Sequence, residues 1–150
     1  MLVGVGPPAI ACSNTGGIMA RLTREMKDLI VAHKCFVATV NPDGTPNLGP
    51  KGSTRVLDDE TLAFNESSGK QTWTNLLNGS KVAIAVIDPA THIGFRFIGS
   101  PEVLTSGDLY DETMTARKEK PGMRPLRAVI RVKIDRIFSL SSASPGEEVE

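Results

Sequence analysis

The sequence predicts a mainly β fold, an antiparallel barrel with short helices at its periphery. Three observations carry this reading: about six segments rich in β-formers, tight turn chemistry between most of them, and helical segments too short and too few to serve as crossovers of a parallel sheet.

The elements follow in chain order. Thr23 offers a cap, Glu25 stands in the first turn, and Leu22, Met26, Leu29 and Ile30 recur at helical spacing, so a helix is expected near 23–33 with His33 at its C-terminal end. Residues 35–40 are β-formers and lead into Asn41-Pro42-Asp43-Gly44, which predicts a hairpin. Its return strand begins near Thr45 and is expected to continue, with a break around 49–52, through 53–57. A short strand over 61–64 precedes a short helix over 70–77, stopped by Asn78-Gly79. Residues 82–87 are apolar on both alternating faces, which predicts a strand covered on both sides. A long strand follows over 94–105, interrupted by Gly99 and Pro101, with Pro101 pointing to an edge or a bulge. Residues 108–120 read as a surface helix ended by Pro121-Gly122. In the last strand, over about 126–140, Ile130, Val132 and Ile134 alternate with Arg131, Lys133 and Asp135, giving one core face and one wet face. One domain over 19–140 is expected, between a flexible leader at 1–18 and a loose tail at 141–150; Met19 is an alternative start.

Composition excludes several classes. Lysine plus arginine number 17 and aspartate plus glutamate number 17, so the chain has no bulk attraction for nucleic acid or an anionic membrane, and any anion must be bound locally. No apolar run approaches the roughly 20 residues that cross a bilayer, and a cytoplasmic protein is expected. Cys12 follows Ala9-Ile10-Ala11 in the manner of a lipoprotein cleavage site, but no positive residue precedes it and Pro7-Pro8 breaks the apolar run. The same prolines prevent Val3-Gly4-Val5-Gly6 from opening a nucleotide-binding helix. Cys12 and Cys35 lack the paired spacing of a zinc or iron–sulfur site, and His33 and His92 have no ligand-like partners, so no metal is expected. Two scattered histidines likewise justify no serine–histidine–acid hydrolase.

Two clusters can carry chemistry. In Phe64-Asn65-Glu66-Ser67-Ser68-Gly69-Lys70-Gln71-Thr72 a strand runs through small polar residues into a helix start, where amides, hydroxyls and an ammonium suit a phosphate. The same residues also suit a helix cap at Ser68 with a solvated Lys70. In Pro50-Lys51-Gly52-Ser53-Thr54-Arg55, cations and hydroxyls flank a glycine, which suits the polar edge of a flavin or, equally, a β-bulge with solvated charges. Trp73 is expected to pack on the barrel, with a cover over a flavin as the alternative.

The order of Phe36-Val37-Ala38-Thr39-Val40, Asp43-Gly44-Thr45-Pro46-Asn47, Leu62-Ala63-Phe64, Ser67-Ser68-Gly69-Lys70, Asn75-Leu76, Val82-Ala83-Ile84 and Phe97-Ile98-Gly99 resembles the split barrels related to pyridoxamine 5'-phosphate oxidase, across roughly 22–139. The resemblance implies a Greek-key-like split β-barrel, a homodimer, and FMN between its subunits. It assigns Ser67, Ser68, Lys70 and Thr72, with Gln71 among them, to the FMN phosphate, and Lys51, Gly52, Ser53 and Thr54 to the flavin ring. Arg117, Arg124 or Arg127 of the second subunit would complete the site. The oxidases usually carry an arginine before the phosphate-binding lysine, where this chain has Gly69, and their C-terminal arginine–histidine pair is missing, which argues against oxidation of vitamin B6. The implied activity is an FMN-dependent oxidoreductase or electron carrier of unassigned substrate. The alternatives are a non-catalytic or stress-associated flavin module, a deazaflavin-dependent reductase, and a cofactor-free dimeric barrel.

Overall fold

The computed structural model describes residues 20–118 and 120–150. The expected leader at 1–18, Cys12 and Met19 lie outside the described residues. The elements are α1 (Arg24–Ala32), β1 (Phe36–Val40), β2 (Pro46–Pro50), β3 (Arg55–Asp58), β4 (Thr61–Glu66), α2 (Gln71–Leu77), β5 (Val82–Asp88), β6 (Ile93–Leu104), α3 (Asp108–Lys118), β7 (Ala128–Ser139) and β8 (Glu148–Val149). Local chemistry sets several boundaries. The Thr23 hydroxyl accepts from the Met26 amide while the Met26 sulfur accepts from the Thr23 amide, and the His33 amide closes the other end of α1 on the Leu29 carbonyl. Gly44 takes φ +86° in the β1–β2 turn, a conformation closed to most side chains.

All strand pairs are antiparallel, in the order β2-β1-β5-β6-β7-β4-β3, with β8 also on β7. The return strand of the first hairpin therefore does not run on into residues 53–57. β2 and β3 stand at opposite ends of the sheet, and no ladder joins them. This is the split of a split β-barrel. The Lys51 amide makes the last bond on the β1 side, to the Cys35 carbonyl, and beyond it the chain leaves β1 and reaches β4. Residues 51–54 cross the split, and residues 67–70 lead from β4 to α2, which packs on β1 and β2. Both candidate clusters of the sequence thus lie where the sheet fails to close.

The barrel interior is filled by Val37, Leu62, Phe64, Ile84, Phe97, Ile130, Val132 and Ile137, with Met26, Leu29 and Ile30 of α1 and Leu76 of α2 closing it. Trp73 packs against this core. A smaller cluster of Ala63, Leu126 and Val129 seats α3 through Leu109, Tyr110 and Met114. Cys35 belongs to the core, and burial pushes its thiol pKa up to about 11, so it is a protonated apolar side chain rather than a nucleophile. Among the described residues no helix is long and apolar enough to cross a membrane.

Two expectations are corrected. The segment at 141–150 is not loose: Glu148 and Val149 pair with Phe138 and Ile137, and Arg136 grips the Glu148 carboxylate at 2.7 and 2.8 Å. Two residues of strand give too short a pattern to read from sequence. Within the single chain the strand over 82–87 is covered on one side only. Val82, Ile84 and Val86 are buried, whereas the outward Ile87 is 45% exposed and lies on a face with Phe36, Val40 and Leu48.

Pro101 lies past the last β5–β6 pair, Val82 with Gly99, so its missing N–H faces no strand on that side. Beside it the β6–β7 register jumps between Ile98 and Gly99, leaving Asp135 unpaired in the ladder. This bulge lets Ile134 and Ile137 both point inward although an odd number of steps separates them. Gly99 permits the close approach, since a Cβ there would fall 2.5 Å from the Lys133 carbonyl oxygen. Gly99→Ala is accordingly expected to destabilise the protein by about 1–3 kcal/mol in urea unfolding. Gly49→Ala, where a Cβ meets nothing within 4 Å, serves as the near-neutral control.

Candidate functional site

Glu66, the last residue of β4, is fully buried. Its partner in the ladder is Ala128 of β7, and this pairing fixes where its carboxylate can go. One carboxylate oxygen accepts from the Lys51 ammonium at 2.7 Å, and the other accepts from the Ser68 hydroxyl at 2.8 Å and the Gly69 amide at 3.0 Å. The two clusters are therefore joined across the split by one side chain. Burial alone would push the Glu66 carboxyl up, but the bonds from Lys51, Gly69 and Ser68 outweigh it and hold it below the ordinary value. The turn at 67–69, expected to cradle an external anion through its amides, has its Gly69 amide and Ser68 hydroxyl already occupied by an internal one.

The loop at 51–54 is equally well determined. The Lys51 amide donates to the Cys35 carbonyl at 3.0 Å, and the Lys51 carbonyl accepts from the Thr54 amide at 3.1 Å and hydroxyl at 2.7 Å. The Ser53 hydroxyl oxygen accepts from the Asn65 amide at 2.8 Å, and a Cβ at Gly52 would meet nothing. Arg55 donates to the Ser53 carbonyl at 3.1 Å, the Asn65 side chain at 3.0 Å and the Thr113 hydroxyl at 2.9 Å. None of these acceptors is charged, and burial pulls the Arg55 pKa down. Arg55 lines an open groove of about 500 Å³ between the loop and α3, which Gly52, Ser53, Asn65, Arg117 and Met123 also border.

Of the other expected residues, Thr72 and Gln71 serve a buried polar network. Thr72 accepts from Asn47 at 3.1 Å, and Gln71 donates to Asn75 at 2.8 Å. Asn75 donates in turn to Thr39 at 2.9 Å and Asn41 at 2.8 Å, which pins α2 to the first hairpin. Lys70 is the N-cap of α2, makes no side-chain capping bond and is exposed. The Ser67 hydroxyl accepts from Arg117 at 3.4 Å. Arg127, just before β7, donates its amide to the Glu66 carbonyl at 2.9 Å. Lys51 and Ser68 thus meet on Glu66, and Gly52 and Ser53 border the groove beside α3, whereas Thr72 bonds to Asn47 of the hairpin and Gln71 to Asn75. Glu66 and Asn75 escaped selection as site residues: a single carboxylate among serines reads as solvated, and an amide in a short helix carries no periodic signal.

The structure is a split barrel whose two crossing segments are joined by one buried carboxylate. A family model described as pyridoxamine 5'-phosphate oxidase matches residues 22–141. The chain belongs to the pyridoxamine 5'-phosphate oxidase family. Its fold matches that of HupZ from Group A Streptococcus with a TM-score of 0.75 at 38% identity, covering 86% of this chain and 99% of that one. An FMN-binding protein from Syntrophomonas wolfei shares the fold at TM-score 0.66 and 20% identity, over 77% of this chain and 84% of that one. An F420 reductase shares it at TM-score 0.60 and 22% identity, over 77% and 98%.

Because the folded Glu66 carboxyl titrates below its ordinary value of 4.5, its contribution to stability is complete above that value and is lost as pH falls through the folded pKa. Glu66→Gln is expected to flatten the acid limb of the stability curve below about pH 4.5. At neutral pH, Glu66→Ala is expected to cost about 3 kcal/mol, as for a buried pair that loses one partner, measured by urea unfolding.

Proposed function

We propose that the chain binds FMN at the split and works as a flavin-dependent oxidoreductase or electron carrier. The observation that supports this most directly is the Lys51–Glu66–Ser68 junction, which holds the two candidate clusters side by side on one seam. Lys51, Gly52, Ser53 and Thr54 would meet the flavin ring, and Ser67 and Lys70 would meet the phosphate. Ser68 would act by fixing the turn, since its hydroxyl is donated to Glu66. These groups fit a phosphorylated flavin: the Lys70 ammonium has no carboxylate partner among the described residues, and Gly52 leaves open space beside the Lys51 and Ser53 backbone. The bound flavin would supply the transfer of electrons or hydride. The protein would supply positioning, because Glu66 holds the Lys51 ammonium in one place as an ion pair. Family membership supports a flavin-type ligand; the two cofactor-named neighbours, both below 25% identity, support the fold.

The same reading includes a homodimer. On the outer face of β2, β1 and β5, Leu48 is 67% exposed, Val40 54% and Phe36 44%. Phe36 stands opposite Pro50 in the ladder, so this apolar face runs up to Lys51. The next strand adds Arg96, stacked 4.7 Å from the centre of the Phe138 ring, with a buried Nε that has no acceptor. A second copy would cover the apolar face beside the flavin site.

The spectrum of the purified protein and the mass of its released chromophore test the cofactor. FMN is expected, and a deazaflavin would overturn that choice while keeping the site. Lys70→Ala is expected to weaken FMN by about ten- to a hundredfold and riboflavin hardly at all, since a charge-assisted contact contributes about 1.5–3 kcal/mol and only FMN carries the phosphate. Light scattering after gel filtration should give twice the monomer mass, and Leu48→Asp should reduce it to one copy.

A further inference from the structure

The ion pairs of this molecule avoid one region. Lys81 meets Asp135, Arg131 meets Glu102 and Arg136 meets Glu148, all on the sheet. Between residues 117 and 127, by contrast, the sequence holds Arg117, Lys118, Lys120, Arg124 and Arg127 against one carboxylate, Glu119. None of these five cations has an ion-pair partner among the described residues. Arg117 reaches only the Arg124 carbonyl and the Ser67 hydroxyl, and the other four are exposed. The chain as a whole carries no net charge, so the excess is offset elsewhere. The five cations precede Ala128, the first residue of β7, whereas Glu147, Glu148 and Glu150 lie on the segment that folds back on its end at Ile137 and Phe138. Twelve extended residues put roughly 35 Å between those ends, so the molecule is a dipole whose positive end is the loop after α3. That end is not purely polar. Met123 is 49% exposed in the middle of the loop, and with Arg117 and Lys120 it borders the groove whose other wall holds Gly52 and Ser53. An exposed apolar side chain ringed by charge has the makeup of a protein contact, apolar at its centre and polar at its rim. Nucleic acid fits less well. The chain has no net positive charge to hold a phosphate backbone, and the nearby aromatic residues Tyr110 and Trp73 are spent on seating α3 and packing on the core.

We propose that the loop after α3 is the docking surface for an acidic electron-carrier protein, whose carboxylates meet Lys118, Lys120 and Arg124 around a contact on Met123. This rests on the reading of the seam as a flavin site, because Gly52 and Ser53, assigned there to the ring, share the groove with the loop. A carrier seated on the loop stands beside the edge of the ring. Each encounter passes one electron from the reduced carrier to the flavin, so full reduction takes two carriers, each oxidised by one electron, and one proton from solvent. The charges steer the encounter and raise its rate more than they hold the complex, which suits a partner that must leave after each transfer. Arg117 and Arg124 thereby receive a role other than completing the flavin site of a second subunit.

The probes are an acidic two-iron ferredoxin, a basic cytochrome c and a short DNA duplex, each titrated into the purified protein by calorimetry. The ferredoxin is expected to bind with a micromolar Kd at low salt and to weaken at least about tenfold between about 20 and 200 mM sodium chloride, while the other two bind far more weakly. Lys120→Glu combined with Arg124→Glu is expected to weaken the ferredoxin at least about tenfold. Lys34→Glu combined with Lys133→Glu changes the net charge equally at exposed positions elsewhere, and is expected to alter Kd by less than about threefold. Should the first double variant not fold, Lys120→Gln with Arg124→Gln replaces it, with a loss of at least about threefold. No ferredoxin binding, equal losses in the two double variants, or equal binding of cytochrome c or DNA overturns the proposal. With flavin bound, reduced ferredoxin is expected to bleach the flavin absorbance more slowly in the Lys120→Glu, Arg124→Glu variant than in the wild type, and equal rates overturn the redox role. Ferredoxin docking on a protein that binds no flavin also overturns that role together with the seam reading. Flavin binding without docking overturns this proposal alone.

Discussion

A single buried carboxylate organises the seam of this barrel. A sheet that does not close leaves two strand ends, and the chain must cross between them twice. Glu66 sits where both crossings meet and binds one from each side: an ammonium from the loop after β2, and a hydroxyl and an amide from the turn after β4. A carboxylate removed from water tolerates that position only when such donors surround it. The requirement runs both ways, since Lys51 and the turn at 67–69 are fixed in turn by the charge they satisfy. Binding groups on a rigid seam need less ordering when a ligand arrives than the same groups on free loops.

Much of the fold is legible in the sequence because its causes are local. The Asn41-Pro42-Asp43-Gly44 turn determines the first hairpin, Thr23 determines the start of α1, and the alternation around Ile130 determines the inner face of β7. Where partners are distant the sequence is silent. Residues 46–58 are β-forming on both sides of Gly52, but nothing near them says that the second part belongs at the far end of the sheet; that follows from the pairing of β4 with β7. The C-terminal strand is invisible for a similar reason, since its support comes from Arg136 and Ser139 rather than from its own composition.

The site divides along the same line. Its residue types were readable: hydroxyls, lysines and glycines in two short clusters mark a place suited to an anion and a polar ring. Their division of labour was not. Thr72 and Gln71 belong to the amide and hydroxyl network that holds α2, and Ser68 spends its donor on Glu66. Which hydroxyls face outward depends on Asn47, Asn75 and Glu66, residues whose burial is decided by packing of the whole barrel. Arg127 illustrates the converse, since its position over Gly69 arises from a ladder between β4 and β7 and not from any spacing in the chain.

The end strand β2 begins and finishes with proline, at Pro46 and Pro50. Each lacks a donor, so this margin of the sheet makes a poor template for an incoming peptide backbone. Fibrous growth by strand recruitment is thereby discouraged at the very border where the molecule is most greasy. Whatever approaches this border must engage side chains and not the backbone ladder.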